Sequence, residues 1–417
     1  MANPESSVSS KDKKNLAKNA ISLFFLQGST YILSLITVPY LFQTLGVEKF
    51  GLVNFSLSVA MFFLILSDYG FNTSVPREIS VNRDNIHAVS KIFCTVIFLK
   101  MFLVAVLFIV FLGIVFFVPR FTPDYPVHLL TFGVVFGQAL FPLWFFQGME
   151  EMQYTTIFNI MSKVLFTVLI FVFVRNPSDY LLVPIFTSLG FIMGGILSQY
   201  MVFTKFKVKL LLPDFGSIKH HICDSFHFFI AQLSFHFYGL ANTLVLGYFT
   251  NNTLVGYYTA AEKIIKAFKC LINPIANTIY PYMARKQNIL LFKKVFYGAC
   301  LGGLLLCLFF FFGSNIIAHV LYKPDEMVTA RLLRLFSLQF LILFPSIMLG
   351  VGLLIPMGRS NYQNMSVVIG AVVHIIGLTI IVPIINPYLL IILTLVTDAI
   401  VCSIKIYAVH KYRLWKT

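Results

Sequence analysis

The sequence has little charge for its length. Of its 417 residues, 11% are Asp, Glu, Lys or Arg, whereas ordinary soluble domains carry about 25%. A soluble protein with so few charged side chains could not cover its surface. In this chain 58% of the residues are hydrophobic and the mean hydropathy is +0.86. These values exclude a soluble enzyme, a nucleic-acid-binding domain and a disordered chain. They indicate a helical membrane protein with short loops.

Acidic residues are the scarcer charge type, with 16 Asp and Glu against 31 Lys and Arg and a net charge of +15. In a membrane protein such an excess collects in cytoplasmic loops, next to anionic lipid headgroups. The sequence also has no Walker motif, no HExxH and no CxxC, and its six cysteines show no paired spacing. We therefore expect no cofactor, no metal and no catalytic residues, and we interpret the cysteines as small apolar side chains.

The N-terminus lacks the features of a cleavable signal peptide. Its first residues, MANPESSVSSKDKKNLAKN, are polar and basic. The apolar stretch from Ala20 to Phe42 is longer than a signal core of roughly 7–15 residues, and no small-residue cleavage site follows it. We expect this stretch to remain as the first membrane span.

Twelve apolar windows are long enough to cross a membrane, which takes about 20 residues. They lie at 20–42, 50–71, 92–118, 129–148, 154–174, 180–203, 222–249, 255–283, 295–320, 329–356, 364–386 and 388–409. With the N-terminus in the cytoplasm, cytoplasmic segments hold twenty Lys and Arg, Lys405 among them, and outer segments hold six. This bias predicts that both termini are cytoplasmic, which requires an even number of spans.

A short internal repeat divides the chain into halves. LFQTLGVEKFGLVNFS at 41–56 and LVLGYFTNNTLVGYYTA at 244–260 share a Leu-Gly pair, a polar loop and a second pair that ends in Gly. The alternative is a chance likeness between two hairpins. The repeat predicts an all-α, polytopic membrane protein with about 12 transmembrane helices in two six-helix lobes around a central cavity. The lobes are expected at 1–203 and 221–417, with a cytoplasmic linker at 204–220.

Two pairs of glycines have the spacing of helix-packing faces. They are Gly190 with Gly194 and Gly298 with Gly302. Small residues four apart let a neighbouring helix approach closely in a membrane, so we expect both pairs to lie against a helix.

The eighth span, YYTAAEKIIKAFKCLINPIANTIYP, carries the densest group of polar residues. At 100° per residue, one face of a helix collects Glu262, Lys266, Lys269, Asn273, Asn277 and Tyr280, with Lys263 beside it. This face is about 25 Å long, and Glu262 can pair with Lys266. Pro274 predicts a kink in the span. A cationic stripe in a cavity suits a phosphate or pyrophosphate group. The alternative is that the lysines snorkel to the headgroups or pair with acids elsewhere.

Three ionisable residues are candidates for ion coupling. Asp68 lies near the end of the second span, and the alternative is a helix-end acid that pairs with Arg77 or Arg83. His236 in the seventh span could titrate in a proton-coupled cycle, with a hydrogen-bonded structural histidine as the alternative. Asp398 lies mid-span in the twelfth and could neutralise one of the lysines.

Five further residues are candidate substrate contacts. Asn54 lies on the polar face of the second span. Lys100 and Lys163 lie about nine residues in from the cytoplasmic ends of their spans, where a lysine lines the cavity or snorkels. Arg331 and Arg334, one turn apart at the outer end of the tenth span, would contact an anion on the exit side or anchor the helix in lipid.

Three stretches of the chain resemble one known family. They are NLAKNAISLFFLQGSTYILSLITVPYLFQTLGVEKFGLVNFS, SDYGFNTSVPREIS and LVLGYFTNNTLVGYYTAAEKIIKAFKCLINPIANTIYPYMARK. With its twelve spans, the chain resembles the Wzx-type O-antigen or polysaccharide-repeat-unit flippases of the multidrug/oligosaccharidyl-lipid/polysaccharide exporter superfamily. The resemblance implies two lobes around a cationic cavity. It also implies movement of undecaprenyl-pyrophosphate-linked oligosaccharide from the cytoplasmic to the periplasmic leaflet of a bacterial inner membrane. The implied partners are that lipid, membrane lipids and other polysaccharide-assembly proteins, without nucleic acid.

Two other functions stay open from the sequence. Drug exporters of the superfamily tend to carry an acid in the first span, and this chain has none between Lys18 and Glu48. This absence counts against drug antiport. A multidrug or small-metabolite exporter of the same fold is nevertheless the first alternative. The second is a membrane-embedded polysaccharide polymerase or glycosyltransferase, which needs a large outer loop, whereas no loop here exceeds about twenty residues. We expect alternating access, with lysines of the eighth span holding the pyrophosphate.

Overall fold

The structure is a computed structural model that describes residues 10–323 and 326–415, without the side chains of residues 10–32, 34, 231, 234–238 and 326. Every regular element in the described residues is a helix, which confirms the all-α prediction. The first eight helices are α1 Ser10–Asp68, α2 Phe71–Asn82, α3 Ile86–Phe117, α4 Tyr125–Leu140, α5 Leu143–Gly148, α6 Met152–Phe173, α7 Leu182–Thr204 and α8 Phe215–Phe249. The others are α9 Asn252–Lys269, α10 Ile272–Lys286, α11 Ile289–Leu321, α12 Glu326–Ser337, α13 Gln339–Ile347, α14 Ser360–Ile381 and α15 Pro387–Lys411, with a π-helix at Met348–Leu354.

Within the described part of the chain, nine helical stretches are long and apolar enough to cross a membrane. This finding confirms a polytopic membrane protein but not the predicted number of twelve spans. The last part of the first predicted span and the whole second predicted span fall in one stretch, Leu35–Asn82. The predicted seventh span contributes only the shorter apolar segment Gly239–Phe249. The predicted eighth span is divided between α9, which has 18 residues but carries four charges, and α10, which has 15 residues, and neither is among these nine stretches.

Gly46 separates the two arms of α1. Its φ of 75° and ψ of 161° are not helical, so α1 bends between the predicted first and second spans. A residue with a Cβ rarely adopts this combination of angles, whereas glycine adopts it without steric cost. The predicted spans 20–42 and 50–71 therefore correspond to the arms on either side of this bend.

The chain forms two compact units whose segments alternate along the sequence. The first unit contains the chain up to Leu33, Ala60–Val174 and Leu181–Leu233, and the second contains Ser34–Val59, Arg175–Tyr180 and Ser234–Thr417. The core of the first unit is aromatic, with Trp144, Phe145 and Phe146 fully buried. The predicted lobes at 1–203 and 221–417, and the linker at 204–220, stay a prediction.

One of the two predicted glycine faces packs against a helix. In the first unit, a Cβ on Gly190 would lie 2.9 Å from the Ser162 carbonyl oxygen, and a Cβ on Gly194 would lie 2.1 Å from Ser162 Oγ. This face of α7 therefore requires glycine to pack on α6. A Cβ on Gly298 or Gly302 would meet no atom of the described chain within 4 Å, so the packing prediction is wrong for that pair. Small residues permit a close approach but do not by themselves attract a helix.

The two copies of the internal repeat contact each other inside the second unit. A Cβ on Gly51 would lie 1.8 Å from the Asn252 carbonyl oxygen, and a Cβ on Gly256 would lie 2.2 Å from the Val47 carbonyl oxygen. Both residues are the second glycine of their copy of the repeat. Because backbone atoms fill the space at both positions, only glycine fits there. The approach brings Asn54, one turn after Gly51, beside α9.

Candidate functional site

Helix α9 carries most of the predicted site. It begins after Asn251, whose side-chain oxygen accepts a hydrogen bond from the Leu254 amide at 2.9 Å and so caps the helix. Its apolar side chains, among them Tyr258 and Ile265, are buried in the core of the second unit. The same helix carries four charged residues within its last eight positions, namely Glu262, Lys263, Lys266 and Lys269.

The single helix predicted over 255–283 is wrong, because α9 ends at Lys269 and α10 begins three residues later. Pro274 lies in the first turn of α10, where its missing N–H removes no helical bond, whereas in the interior of one long helix it would remove one. Asn273 is half-buried and Asn277 is exposed, and both belong to α10. The predicted 25 Å stripe is thus divided between two helices at the expected kink.

Glu262 and Lys266 form the ion pair that their spacing predicts. Lys266 Nζ lies 2.9 Å from Glu262 Oε1, with the carboxylate side chain 12% exposed and the lysine side chain 47% exposed. A lysine ammonium has three hydrogens to donate, and one carboxylate oxygen does not use them all. Lys266 therefore presents part of its positive charge at the protein surface.

Lys263 bonds to Asn54 across the contact between α1 and α9. Its ammonium donates to Asn54 Oδ1, while Asn54 Nδ2 donates to the Phe50 carbonyl at 2.7 Å. The second bond orients the amide so that its oxygen faces Lys263. The ammonium also lies 5.8 Å from the centre of the Phe50 ring. The backbone approach of Gly51 and Gly256 sets the distance that this bond spans.

Gln339 bridges Lys269 to Asp398. The Lys269 ammonium donates to Gln339 Oε1, and Gln339 Nε2 donates to Asp398 Oδ2 at 3.2 Å. Gln339 and Asp398 are both buried. From the sequence we expect Asp398 to neutralise a lysine. In the structure the Gln339 amide lies between Asp398 and Lys269 and hydrogen-bonds to both. Gln339 was not a sequence candidate, although a lone glutamine in an apolar helix is the signal that could have found it.

The group as a whole keeps a positive charge. Its three ammonium groups face two carboxylates, those of Glu262 and Asp398, which leaves a surplus of one positive charge. No set of three or more His, Cys, Asp or Glu residues in the described chain is arranged to hold a metal ion. The arrangement can bind an anion at the exposed Lys266 and hold the other lysines in place through amides.

Asp68 and Lys100 pair with each other in the first unit. Lys100 Nζ lies 3.0 Å from Asp68 Oδ1, and the side chains are 2% and 10% exposed. The alternative partners Arg77 and Arg83 are not used, and Arg83 instead pairs with Glu150 at 3.1 Å. In this arrangement the Lys100 ammonium is enclosed by protein and paired.

The remaining sequence candidates have different surroundings. Lys163 is half-buried on α6, and Arg331 is exposed on α12. Arg334 donates from Nε to Ser314 Oγ at 2.7 Å, which ties α12 to α11. The side chain of His236 lies outside the described residues. For all these positions a role in substrate or ion binding stays a prediction.

Lys405 occupies a different place from the one predicted. The charge bias groups it with the cytoplasmic residues, but its side chain is buried on α15 and donates to the carbonyl and the hydroxyl of Ser346, at 3.2 and 3.0 Å. Hydropathy alone placed it near a span end, whereas the long α15 continues to Lys411 and keeps Lys405 inside the protein.

Comparisons with known proteins add to this geometry. The family described as "Polysaccharide biosynthesis protein" matches residues 16–287. A candidate O-antigen transporter of Escherichia coli (strain K12) is 29% identical over 79% of this chain and 81% of its own length. A candidate O-antigen transporter of Shigella dysenteriae is 24% identical over 87% of this chain and 91% of its own length. These matches confirm the family resemblance drawn from the sequence.

Solved structures with the same fold include two membrane transporters. The lipid II flippase MurJ, in an inward closed conformation, matches with a TM-score of 0.67 and 14% identity, over 94% of this chain and 87% of its own. An inward-facing multidrug resistance MATE family transporter of the MOP superfamily matches with a TM-score of 0.69 and 13% identity, over 92% and 96%. At such low identity the likeness establishes the fold.

Proposed function

The chain belongs to the polysaccharide biosynthesis protein family, and we propose that it is a flippase for lipid-linked oligosaccharide. Its substrate in this proposal is an undecaprenyl-pyrophosphate-linked repeat unit of O-antigen or a related polysaccharide. The protein carries it from the cytoplasmic to the periplasmic leaflet of a bacterial inner membrane, with both of its own termini in the cytoplasm. The cycle is alternating access and involves no covalent chemistry.

The observation that carries the proposal is the cationic end of α9. Lys266 is exposed at the end of a helix whose other two lysines are held by amides. Lysine is a compact point charge that binds phosphate without fixed geometry. A pyrophosphate has several equivalent oxygens and must be released after transport, so a mobile ammonium suits it better than a rigid bidentate site.

The proposed roles follow from the exposure of each residue. Lys266 contacts the pyrophosphate directly. Lys269 contributes to the positive potential and is held in place by Gln339. Asn273 and Asn277 on α10 offer amides to sugar hydroxyls, and the lipid tail stays in the membrane. The names of the two relatives, O-antigen transporters, and the fold shared with a lipid II flippase support this substrate class.

The first experiment places the purified protein in proteoliposomes with a short polyprenyl-pyrophosphate oligosaccharide. The number of sugar headgroups accessible from outside is counted over time. We expect Lys266→Ala with Lys269→Ala to reduce the initial flipping rate at least about tenfold, since the lost Lys266 contact to a charged group is worth about 1.5–3 kcal/mol and the loss of Lys269 lowers the positive potential further.

The matched control is Lys293→Ala with Lys294→Ala, which removes the same charge at the start of α11. It should flip at the wild-type rate. Equal rates in the two double variants would contradict the role of α9. If the wild-type protein moves no such lipid but expels drugs from vesicles, the exporter alternative replaces the flippase. New sugar linkages formed in the vesicles would instead indicate the polymerase or glycosyltransferase.

A further inference from the structure

His374 on α14 is fully buried, and both of its ring nitrogens lie at hydrogen-bond distance from polar side chains of the second unit. Nε2 lies 2.9 Å from Asn242 Oδ1 on α8, and Nδ1 lies 3.2 Å from Thr397 Oγ1 on α15. A buried imidazole can exist with one proton or two, and its neighbours decide which states leave every polar atom satisfied.

Hydrogen bonds from Thr394 and Asn242 determine whether Nε2 of His374 carries a hydrogen. The Thr394 hydroxyl donates to the Leu390 carbonyl at 2.8 Å. The same hydroxyl oxygen therefore accepts from Asn242 Nδ2, at 2.9 Å. This bond orients the amide, so that Asn242 Oδ1 faces the ring. An amide oxygen only accepts, so Nε2 carries a hydrogen in every protonation state of His374.

The other nitrogen, Nδ1, faces a hydroxyl group that can donate its hydrogen to either of two acceptors. Thr397 Oγ1 lies 2.8 Å from the Leu393 carbonyl and 3.2 Å from His374 Nδ1. When the ring is neutral, the hydroxyl hydrogen points to Nδ1. When Nδ1 is protonated, it donates to Thr397 Oγ1, and the hydroxyl hydrogen turns to the Leu393 carbonyl. The ring can thus gain or lose a proton without any movement of a heavy atom.

The ionisable groups on the elements around this ring are concentrated on α9 and α15. In the described residues of the second unit, α14 adds Tyr362, α8 adds Tyr248 and the π-helix adds none. Helix α9 adds Tyr257, Tyr258, Glu262, Lys263, Lys266 and Lys269, and the Tyr258 side chain hydrogen-bonds to Asn242. Helix α15 adds Tyr388, Asp398, Cys402, Lys405, Tyr407, His410 and Lys411. Asp398 follows Thr397 directly and accepts from Gln339 of α13, while Lys405 bonds to Ser346. Burial away from water costs a charged ring several kcal/mol or more unless a counter-charge offsets it.

We propose that His374, with Asn242 and Thr397, is a proton-binding site that couples a proton gradient to transport. This inference rests on the proposed function, because it names the proton as the ion that drives the proposed lipid transport. Coupling requires that the affinity for the ion differs between conformations. In the enclosed arrangement described here the ring is neutral, and a conformation that admits water to it accepts a proton at Nδ1. One proton enters from the aqueous side that the ring then faces, and it leaves to water on the opposite side.

The first test measures the ring itself in lipid bilayers by ¹⁵N NMR of histidine-labelled protein, with the His374→Gln spectrum to identify its signals. Nε2 should remain N–H throughout, and Nδ1 should change from an unprotonated to a protonated nitrogen between about pH 8 and pH 5. A ring with Nδ1–H and bare Nε2, or a ring that stays neutral throughout that range, would overturn the proposal. This measurement does not depend on which substrate the protein moves.

The second test measures the steady-state ratio of lipid-linked oligosaccharide between the leaflets of proteoliposomes under pH or sodium gradients. One proton per lipid predicts about a tenfold change in that ratio per pH unit. His374→Gln and Thr397→Val should lose this dependence and still equilibrate the lipid. Thr379→Val, which removes a hydroxyl on α14 that donates to the Ile376 carbonyl of the same helix, should keep it.

The outcomes separate the two proposals. If the wild-type protein moves no lipid, the flippase fails, and the NMR titration decides on the proton site. If the lipid moves but His374→Gln keeps the pH response, or if only sodium drives accumulation, the proton site is wrong and the flippase stands.

Discussion

Gln339 joins two charges on different helices, and its amide is suited to that position because it is both donor and acceptor. Its oxygen receives the Lys269 ammonium and its nitrogen donates to Asp398. Sequence periodicity identified Lys269 and Asp398 as costly residues inside the membrane. It could not identify the link between them, because spacing along one helix carries no information about which residue of another helix lies opposite.

Replacing Gln339 with Leu should destabilise the protein by about 1–3 kcal/mol, because a buried carboxylate oxygen loses its donor and Lys269 loses its acceptor. Unfolding in detergent, followed by heat or denaturant, measures the change. Adding Asp398→Asn to the variant should recover part of the loss, because a neutral amide costs less to bury than a carboxylate that has lost one of its donors. Gln43→Leu, at an exposed glutamine that bonds to the Leu321 carbonyl, should change stability by less than about 0.5 kcal/mol. Equal losses for Gln339→Leu and Gln43→Leu would contradict this account.

At the scale of the element, α9 shows what a helical pattern can predict. The spacing of Glu262, Lys263, Lys266 and Lys269 gave the charged group correctly, because α-helical geometry is nearly constant. The continuation into Asn273 and Asn277 failed, because the break near Pro274 divides the helix. The local arrangement of the charged residues therefore follows from the sequence as far as one unbroken helix reaches, while their role in substrate binding stays a prediction. Its contacts to Asn54 and Gln339 depend on tertiary packing.

The glycines of the repeat give a sharp test of that packing. Gly51→Ala and Gly256→Ala should each destabilise the protein by more than about 3 kcal/mol, because the new methyl overlaps backbone that no side-chain rotation can move. Membrane expression and the midpoint of unfolding are the measurements.

Gly298→Ala is the matched control for both substitutions. It sits in a helix with open space around it, so alanine should leave stability unchanged or raise it by up to about 1 kcal/mol. Normal stability of Gly51→Ala would mean that α1 and α9 can move apart there, and the Asn54–Lys263 bond would then lose its physical basis.

For the whole molecule, composition was enough to predict a helical membrane protein, because so hydrophobic a chain has few other stable forms. Composition alone does not determine the number of membrane crossings. Charged or short helices such as α9 and α10 satisfy their polar groups inside a protein and need not look apolar. The predicted topology therefore rests on the excess of Lys and Arg in cytoplasmic loops. That excess depends on the side of the membrane on which each loop lies and not on the hydropathy of each helix.

Single cysteines at Lys207, Arg175 and Lys323, in a chain with its six cysteines replaced by serine, test that topology. With twelve spans, Lys207→Cys should react with an impermeant thiol reagent from the cytoplasmic side, and Arg175→Cys and Lys323→Cys from the outer side. Labelling in intact spheroplasts and in inverted vesicles makes the comparison. Reaction of Lys207→Cys and Lys323→Cys from the same side would contradict the three crossings predicted between these two positions.

The order in which the chain is synthesised gives the close pair Gly51 and Gly256 a further consequence. Gly51 emerges from the ribosome more than 200 residues before Gly256. At roughly 5–20 residues per second, this is a delay of about 10 to 40 s. Throughout that time Ser34–Val59 is in the membrane without the rest of its unit, while Ala60–Val174 is already being completed. Nascent chains halted before residue 252 should therefore leave the Gly51 surface open to lipid or to an insertase, and release of the full chain should close it.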